Sequence, residues 1–442
     1  MRHCKYDSKY ITKINIEGVE YNNLADAVGT PCYIYSASQL KDDLRQLKAA
    51  LPPELHVFYS LKANPNLSLV SLIHQQQVGC EVCSLPELET ALIAGVQPDD
   101  IIFVGPAKSH AELCRSVELG IHAVVVESAD ELAMLNRIAA EQGKRPRFAL
   151  RINPDFVPAK ARLVMTGKPR QFGMDESQAL SLIAQRDAYS HLHFCGIHIY
   201  LGTRILDAEA IADNTLNILR TAEQFQQATG NELEFVDIGG GLGIAYHDKE
   251  TPLDLALLGR LLQDPIRQFQ QRHPRARLIM ELGRFIVARS GVFLTRVRYV
   301  KASRGKHFAI CDGGSNCHGA AAGLGAVIRR NFRTERLGAE SPGAPQLHYD
   351  LTGPLCTPTD IIGEHVLLPA LQAGDLIGLF NSGAYGPTAS PVYFLSFGYP
   401  AEVLVDGDRA VMIRRPDDMA HLLRQQRAEP VALPPIRAKQ RA

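Results

Sequence analysis

The pattern of hydrophobic and polar residues divides the chain near residue 286. From about residue 55, short β-branched or aromatic runs alternate with helical periodicity, which is typical of parallel α/β barrels. Ser84 and Ser128 are suited to cap two of the linking helices. Eight such units favour a (β/α)8 TIM-type barrel, whose chemistry gathers at the carboxyl ends of its strands. The eight predicted strands are residues 56–63, 79–84, 101–105, 122–128, 147–154, 193–202, 235–241 and 278–285.

The C-terminal part of the chain shows little helical periodicity. Its predicted strands, separated by Gly, Pro and Asp turns, indicate an all-β domain. We predict a loop at 329–345 and a polar tail, helical at most in part, after about residue 415. The strands are expected at residues 292–300, 307–311, 365–368, 375–379 and 401–405.

A further strand-like run at 32–35 lies outside the eight barrel strands and is expected to pair with the C-terminal sheet. At 442 residues the chain is long enough for a large barrel and a second domain. The predicted division is an N-terminal segment at 1–35, the barrel at 36–285, the β domain at 286–420 and the tail at 421–442.

Composition narrows the possible partners. Lys plus Arg and Asp plus Glu both total 47, so the charge balance does not indicate a nucleic-acid or membrane partner. The N-terminus lacks an apolar signal segment, and the chain has no run of 18 apolar residues. We therefore expect a cytoplasmic protein. The nine cysteines do not look like a disulfide framework, and we interpret the CxxC of Cys80 and Cys83 as strand residues rather than a metal site.

A lysine ends the first predicted barrel strand. Lys62 follows an apolar run and precedes a turn that contains Pro65. Burial in a barrel mouth would lower the pKa of a lysine, as an imine-forming amine requires. The alternative is a surface lysine with a buried stem, which is the more common case for a single strand-end lysine.

Three consecutive glycines, Gly239 to Gly241, end the seventh predicted strand. Without Cβ atoms, their backbone amides can approach a phosphate. Ile244 stands where a dinucleotide motif needs glycine, so a monophosphate fits better. A tight turn is the alternative.

Two further groups lie at the predicted catalytic face. Glu281 and Arg284 end the eighth strand, where they form either a structural ion pair or a site that holds a pyridine nitrogen and a phosphate. His198, in the sixth strand, is placed to stack on a ring or to serve only as a packing residue.

Together these motifs resemble the fold-type III pyridoxal-phosphate decarboxylases, which include diaminopimelate and ornithine decarboxylases and have an alanine-racemase-like barrel. The resemblance covers most of the chain. The matching motifs are Tyr59-Ser60-Leu61-Lys62-Ala63-Asn64, Gly196-Ile197-His198, Gly239-Gly240-Gly241, Glu281-Leu282-Gly283-Arg284, Gly353-Pro354-Leu355-Cys356 and Ser382-Gly383-Ala384-Tyr385.

The resemblance implies a role for each of these residues. Lys62 would bind pyridoxal 5'-phosphate as a Schiff base, His198 would stack on the ring, and Glu281 would contact the pyridine nitrogen. Cys356 would reach the site of the other subunit of a homodimer and return a proton to Cα after carbon dioxide leaves. The residues that would serve the phosphate are Gly202, Thr203, Gly239, Gly240, Gly241, Arg284 and Tyr385.

Departures from the family pattern bear on the substrate. Relatives that act on diamino acids usually have an acidic residue after the cysteine, but Thr357-Pro358 follows here, and Asp360 would compensate only if it points inward. The Arg-Pro-x-x-Tyr run of diaminopimelate decarboxylases is also missing. The chain is more similar to a siderophore and antibiotic subgroup acting on citryl-linked diaminopropionate or carrier-bound glutamate.

We therefore predict Cα decarboxylation of an amino-acid conjugate in siderophore biosynthesis, with a carrier protein as a further partner to consider. Space at Ala320 to Gly323 would suit a bulky substrate, and Arg329, Arg330 and Arg333 would meet its carboxylates or form an ordinary basic loop. The alternatives are a decarboxylase of diaminopimelate or another diamino acid, an amino acid racemase and a non-catalytic regulator that binds the cofactor.

Overall fold

The computed structural model describes residues 8–156, 163–164, 171–230, 232–247, 249–325, 329–339 and 343–429. Eight parallel strands form a closed barrel, in which the last strand pairs with the first from Leu278↔Leu55 to Leu282↔Tyr59. This confirms the predicted (β/α)8 barrel and all eight strands, with shifts at their ends. In chain order the barrel strands are Leu55–Ser60, Gly79–Val82, Ile101–Phe103, Ala123–Val126, Arg147–Asn153, His193–His198, Phe235–Gly240 and Arg277–Leu282.

Helices cover the outside of the barrel. The side chains of Ser84 and Ser128 accept hydrogen bonds from the backbone amides of Glu87 and Glu131, so both predicted caps are present. The α-helices before and around the barrel are Tyr21–Val28, Ala37–Ala50, Leu67–His74, Leu85–Ile93, His110–Leu119, Ala129–Gln142, Glu176–Ala184, Ala208–Thr229, Leu255–Arg272 and Arg284–Val287. Short 3-10 helices lie at Leu61–Ala63, Pro98–Asp100, Arg186–Tyr189 and Ala288–Ser290.

The barrel interior is apolar at one end and charged at the other. Nine buried residues, including Phe235, Ile279 and Ala149, form a core cluster separate from the one beneath the helices. Successive side chains of a strand point to opposite faces, so the residue two positions later points inward again. Two positions after Phe235 and Ile279 are Asp237 and Glu281, and the functional groups thus lie above the apolar layer at the strands' carboxyl ends.

The C-terminal part of the chain forms a second sheet around the long strand Gly291–Ser303. This strand pairs with Cys32–Ser36 from the N-terminal segment, which also pairs with Ala401–Asp406. The expected pairing of the 32–35 run is therefore present, whereas the complete domain division stays a proposal. The remaining strands of the sheet are Lys306–Cys311, Thr334–Arg336, Gln346–Thr352, Ile361–Pro369, Leu376–Leu379 and Arg409–Arg414.

Three strands of this sheet are absent from the sequence predictions, among them Arg409–Arg414, which pairs with Ala401–Asp406. The stretch predicted as a loop contains the strand Thr334–Arg336, which pairs with Leu376–Leu379. The strand Gln346–Thr352 was missed because it contains His348 and Asp350 among its apolar residues. Residues 1–7, 340–342 and 430–442, on which parts of the domain and loop predictions fall, lie outside the described residues.

The smaller elements complete the description. Short strands lie at Asn15–Ile16, Val19–Glu20, Leu163–Val164, Met174–Asp175 and Gly202–Thr203, and 3-10 helices at Pro387–Ala389 and Phe394–Ser396. The last helix in the described part of the chain, Met419–Leu423, lies in the polar C-terminal region. Among the described residues, no helix is both long and apolar enough to cross a membrane.

Candidate active site

Lys62 lies at the barrel mouth in the 3-10 helix that follows the first strand. Its Nζ is 2.9 Å from Oε1 and 3.0 Å from Oε2 of Glu81, a fully buried residue of the second strand. Burial alone would lower the pKa of Lys62, but Glu81 and, with smaller contributions, Cys83, Glu281 and Tyr200 together outweigh burial, and the pKa is raised well above its usual range. The expected lowering of the pKa was wrong because the charged partner comes from the neighbouring strand.

Glu81 connects the lysine to a thiol and is a site residue that sequence reasoning missed. The Sγ of Cys83 donates to Oε1 of Glu81 at 2.9 Å, so one member of the CxxC lies beside the site while Cys80 is buried in the core. The signal was available, because a charged residue inside a fully buried parallel strand is rare unless it is paired.

A second polar cluster lies on the sixth, seventh and eighth strands. The Nε2 of His198 is 3.2 Å from Oε1 of Glu281, and both side chains are buried. Asp237, which sequence reasoning also missed, brings a carboxylate oxygen into this cluster. One polar side-chain atom from each of His198, Asp237 and Glu281 lies within 4.8 Å of the other two. Burial and the neighbouring Glu281 raise the pKa of Asp237 well above its usual range.

The three consecutive glycines are required by backbone packing. A Cβ on Gly239 would lie 2.6 Å from the carbonyl oxygen of Ile199. On Gly240 it would lie 1.7 Å from that of Glu281, and on Gly241, 2.1 Å from that of Gly202. Such contacts exclude any side chain, so packing explains the glycines whether or not their amides also meet a phosphate.

Gly202 and Thr203 lie beside this glycine-rich turn. They form a short strand that pairs with Leu163–Val164. Just after it, Ile205 forms a β-bridge with Leu242, and this bridge joins the segment to the glycine-rich turn. The side chain of Thr203 hydrogen-bonds to Tyr200, whose ring centroid is 5.6 Å from the Nζ of Lys62. Thr203 is thus linked to Lys62 through Tyr200, and Gly202 precedes it in the same strand.

Arg284 and Tyr385 form the other wall of the site. The guanidinium of Arg284 lies 4.5 Å from the centroid of the Tyr385 ring, and Nη1 donates to the hydroxyl of Tyr246 at 2.8 Å. The backbone amide of Tyr385 donates to the carbonyl of Ala63 at 2.7 Å. This bond joins the C-terminal half of the chain to the segment that carries Lys62.

Cys356 is the predicted residue that the single chain does not bring into this cluster. Its side chain is exposed, and within the described part of the chain no hydrogen bond joins it to Lys62, His198 or Glu281. The preceding backbone amide, of Leu355, donates to Oδ2 of Asp360 at 2.8 Å. Cys356 therefore lies on a fixed loop that faces outward.

Asp360 does not replace the missing acid of the diamino-acid enzymes. It is 2% exposed, and its Oδ1 accepts both the amide and the hydroxyl of Ser315, at 2.7 and 2.8 Å. Together with Leu355, these donors occupy both carboxylate oxygens. The carboxylate fastens the Cys356 loop to the loop at Ser315, so it is not directed at a substrate.

The three arginines considered for substrate recognition lie in different surroundings. Arg333 pairs with Glu335 at 2.6 Å and stacks over Phe380. Nη1 of Arg330 is 3.9 Å from Glu250. Nε and Nη2 of Arg329 are buried without a hydrogen-bond partner among the described residues. The three arginines therefore do not form one basic surface.

Comparison with known proteins places this chain in a family. The family of pyridoxal-dependent decarboxylases, through its pyridoxal binding domain, matches residues 37–288. The chain belongs to the fold-type III pyridoxal-dependent decarboxylases, the family of diaminopimelate and ornithine decarboxylases. It is a carboxy-lyase whose cofactor is pyridoxal phosphate.

Individual relatives match over nearly the whole chain. An L-glutamyl-[BtrI acyl-carrier protein] decarboxylase of Niallia circulans is 36% identical, over 91% of this chain and 95% of its own. A diaminopimelate decarboxylase of Pseudomonas aeruginosa is 33% identical, over 92% and 95%. The crystal structure of Helicobacter pylori diaminopimelate decarboxylase complexed with L-lysine superposes with a TM-score of 0.82, at 29% identity over 92% of this chain and 98% of that one.

The residues at the barrel mouth fit this cofactor. A lysine, a buried carboxylate and a histidine converge at the carboxyl ends of the strands, as imine formation and contacts to a pyridine ring require. Two buried nitrogens, Nδ1 of His198 and Nε of Arg284, have no hydrogen-bond partner among the described residues. Of these two, the Nε–H of Arg284 is a donor suited to a ligand that carries a phosphate.

Proposed function

We propose that this enzyme removes the Cα carboxylate of an amino acid that forms part of a larger conjugate. The observation that carries this proposal is the lack of a free carboxylate beside Cys356. Thr357 and Pro358 follow the cysteine, and both oxygens of Asp360 are occupied by donors within the chain. A distal ammonium group left unpaired in a buried pocket would cost about 2–5 kcal/mol, which disfavours free diamino acids.

The first candidate is a citryl-diaminopropionate-like conjugate used in siderophore biosynthesis. Glutamate bound to a carrier protein is the second, and it is favoured by a specific observation, since the Niallia circulans relative acts on L-glutamyl-[BtrI acyl-carrier protein] and is 36% identical. Both conjugates lack the distal ammonium group of lysine or ornithine. The small residues Ala320 and Ala322, which are only partly buried, support a site with room for the appendage.

The site residues would divide the work as follows. Lys62 would hold the cofactor covalently, and Glu81 is the base in contact with its Nζ that could take the proton this requires. His198 would lie against the ring, and Glu281 would face the pyridine nitrogen. Pyridoxal phosphate, when bound, supplies an electron sink for the pair left at Cα when carbon dioxide departs.

The phosphate would be held at the opposite wall. Arg284 has a buried Nε without a partner among the described residues, and its guanidinium lies against Tyr385. The backbone of Gly239, Gly240 and Gly241, with Gly202 and Thr203 beside it, would complete that side. The packing of these glycines against neighbouring carbonyl groups supports a fixed backbone there.

The placement of Cys356 supports a homodimer. We propose that this exposed cysteine enters the site of a second copy of the chain and returns a proton to Cα. The proposal is supported by the separation within one chain between Cys356 and the Lys62 cluster, and by the hydrogen bonds that fix its loop. A racemase would need a second base at this position, and a measurement of carbon dioxide release separates the two reactions.

The decisive experiment measures carbon dioxide released from each candidate substrate by the purified, cofactor-loaded enzyme. The panel contains citryl-diaminopropionate, carrier-bound glutamate, and free diaminopimelate, lysine and ornithine. We expect release from one of the conjugates. Release from a free diamino acid alone would contradict the proposal.

A matched variant sharpens the result. Thr357→Glu introduces an acidic side chain directly after Cys356, and we expect it to raise turnover of free diamino acids relative to the conjugate. Thr359→Glu, at an exposed position two residues along the same loop, is the control for a general effect of added negative charge. Equal effects of the two variants would show that this position does not select the substrate.

A further inference from the structure

Two buried carboxylates, of Asp237 and Glu281, lie side by side in the barrel. Both side chains are almost fully buried, at 0% and 2% exposure, and they come from adjacent, paired strands. Two negative charges at this separation in a low-dielectric interior repel each other strongly. One of the two groups must therefore keep a proton or be compensated by its surroundings.

The surroundings favour a negative charge on Glu281. Oε1 of Glu281 is 3.2 Å from Nε2 of His198, and the positive charges of Lys62 and Arg151 also act on this carboxylate and lower its pKa, despite its burial. Fewer groups favour a negative charge on Asp237. Its Oδ1 accepts one hydrogen bond, from the amide of Gly239 at 2.8 Å, and the charge of Glu81 opposes its ionisation.

The remaining oxygen of Asp237 is without a conventional partner. Oδ2 is buried and has no hydrogen-bond donor among the described residues, while Glu281 is its polar neighbour. An ionised oxygen in this position would be buried without compensation, which is costly. A protonated oxygen instead becomes a donor and can bond to the Glu281 carboxylate, which satisfies both groups.

We propose that Asp237 is a positioning residue, kept protonated at neutral pH, that donates a hydrogen bond to Glu281 and so keeps the Glu281 carboxylate ionised and fixed in orientation. The part of this inference that concerns the cofactor rests on the proposed role of Glu281 opposite the pyridine nitrogen. The protonation of Asp237 itself does not depend on that role. Gly239 is coupled to the same group, because its amide is bonded to the other oxygen.

The first test uses the cofactor-free protein and its thermal unfolding between pH 5 and pH 8. An acid whose pKa is raised on folding stabilises the folded state most at low pH, and this contribution is lost as pH rises toward the folded pKa. Asp237→Asn removes the titrating group. From pH 5 to pH 8, the unfolding midpoint of wild type should therefore fall by roughly 4 °C relative to that of Asp237→Asn. This is the change expected for one proton that is retained only in the folded state.

A control defines what a structural role alone would do. Asp350→Asn changes an aspartate outside the barrel that pairs with Lys306 and has a lowered pKa, so its effect on the midpoint should be constant from pH 5 to pH 8. A difference between wild type and Asp237→Asn that is equally constant would overturn the proposal. In a Glu281→Gln background, the pH-dependent difference should shrink, because the neighbouring negative charge is gone.

The second test compares two substitutions in the loaded enzyme. Asp237→Ala leaves the Gly239 amide and Glu281 without their partner and should lower kcat by about 10-fold or more. Asp237→Asn offers an amide donor to Glu281 and an acceptor to Gly239, so it should restore most of that loss. If no substrate is turned over but the pH-dependent difference in midpoint appears, the proposed function fails and the inference about Asp237 stands. If substrate is turned over but the difference in midpoint is constant with pH, the proposed function stands and the inference about Asp237 fails.

Discussion

The barrel mouth and the Cys356 loop are built in contrasting ways. At the barrel mouth, side chains from different elements face one another, as in Lys62 with Glu81 and His198 with Glu281, and all of these except the partly exposed Lys62 are buried. In the Cys356 loop, the buried side chain is the structural one, Asp360, and the cysteine is exposed. This exposure of Cys356 is the reason for proposing that it acts on a second copy of the chain.

In the proposed function, the two regions differ in whether they require a second copy of the chain. The proposed cofactor site draws on one chain, because Lys62, His198 and Glu281 come from its barrel and Tyr385 of the same chain lies against Arg284. The proposed proton donor needs two chains, since it lies apart from that barrel's own site. Substitutions in the two regions should therefore differ in their dependence on subunit association.

The largest effect is expected from Lys62→Ala. Loss of the amine removes the covalent attachment of the cofactor, so the visible absorbance of the bound cofactor should disappear, and turnover should fall by at least about 10⁴-fold. Absorbance spectra and carbon dioxide release measure the two effects. Lys48→Ala, which removes a lysine at the barrel's outer surface, is the control. Turnover within a few-fold of wild type in Lys62→Ala would exclude the assigned role.

Cys356→Ala should have a smaller effect that depends on the partner chain. Loss of a general acid should slow turnover by about 10²-fold or more, with the cofactor still attached. After subunit exchange, an equal mixture of Lys62→Ala and Cys356→Ala chains should recover about one quarter of wild-type activity, since half of the dimers contain one intact site. Recovery is absent if Cys356 serves its own chain.

The two regions also differ in how far sequence reasoning reached. The barrel strands were predictable because apolar runs alternate with helical periodicity, and Lys62, His198, Glu281 and Arg284 stand at their ends or in recognisable motifs. Glu81 was missed because it lies inside a buried strand, where it was counted as part of the strand. Its effect on the pKa of Lys62 could not be foreseen, because that requires knowledge of which strand lies next to the first.

The C-terminal half offered weaker signals. The strand Gln346–Thr352 contains His348 and Asp350, and its partners are distant in sequence, so its pairing is set by tertiary contacts. The orientation of Asp360 was left open by the sequence. It depends on donors from Ser315, 45 residues earlier in the chain, which the spacing alone does not reveal.

Asp360→Asn tests whether the Cys356 loop is fixed by this carboxylate. Three donors lose a charged acceptor, so the free energy of unfolding should fall by about 1–3 kcal/mol, and turnover should fall through displacement of Cys356. Thermal denaturation and kcat are the measurements. Asp350→Asn, which removes another carboxylate from the same sheet, should cost stability but leave kcat unchanged. Equal kcat in both variants would show that the loop does not need Asp360 to present the cysteine.

The smallest effect is expected from Cys83→Ala at the barrel mouth. The thiol is a weak donor, so its bond to Glu81 should contribute less than about 1 kcal/mol, and Glu81 retains both contacts to Lys62. Turnover should stay within about fivefold of wild type, a change of about 1 kcal/mol in the barrier. Cys83→Ser, which preserves a donor, should be closer still to wild type. A loss as large as that of Cys356→Ala would instead place a second functional cysteine within the barrel, and would remove the distinction between a site complete in one chain and a proton donor supplied by another.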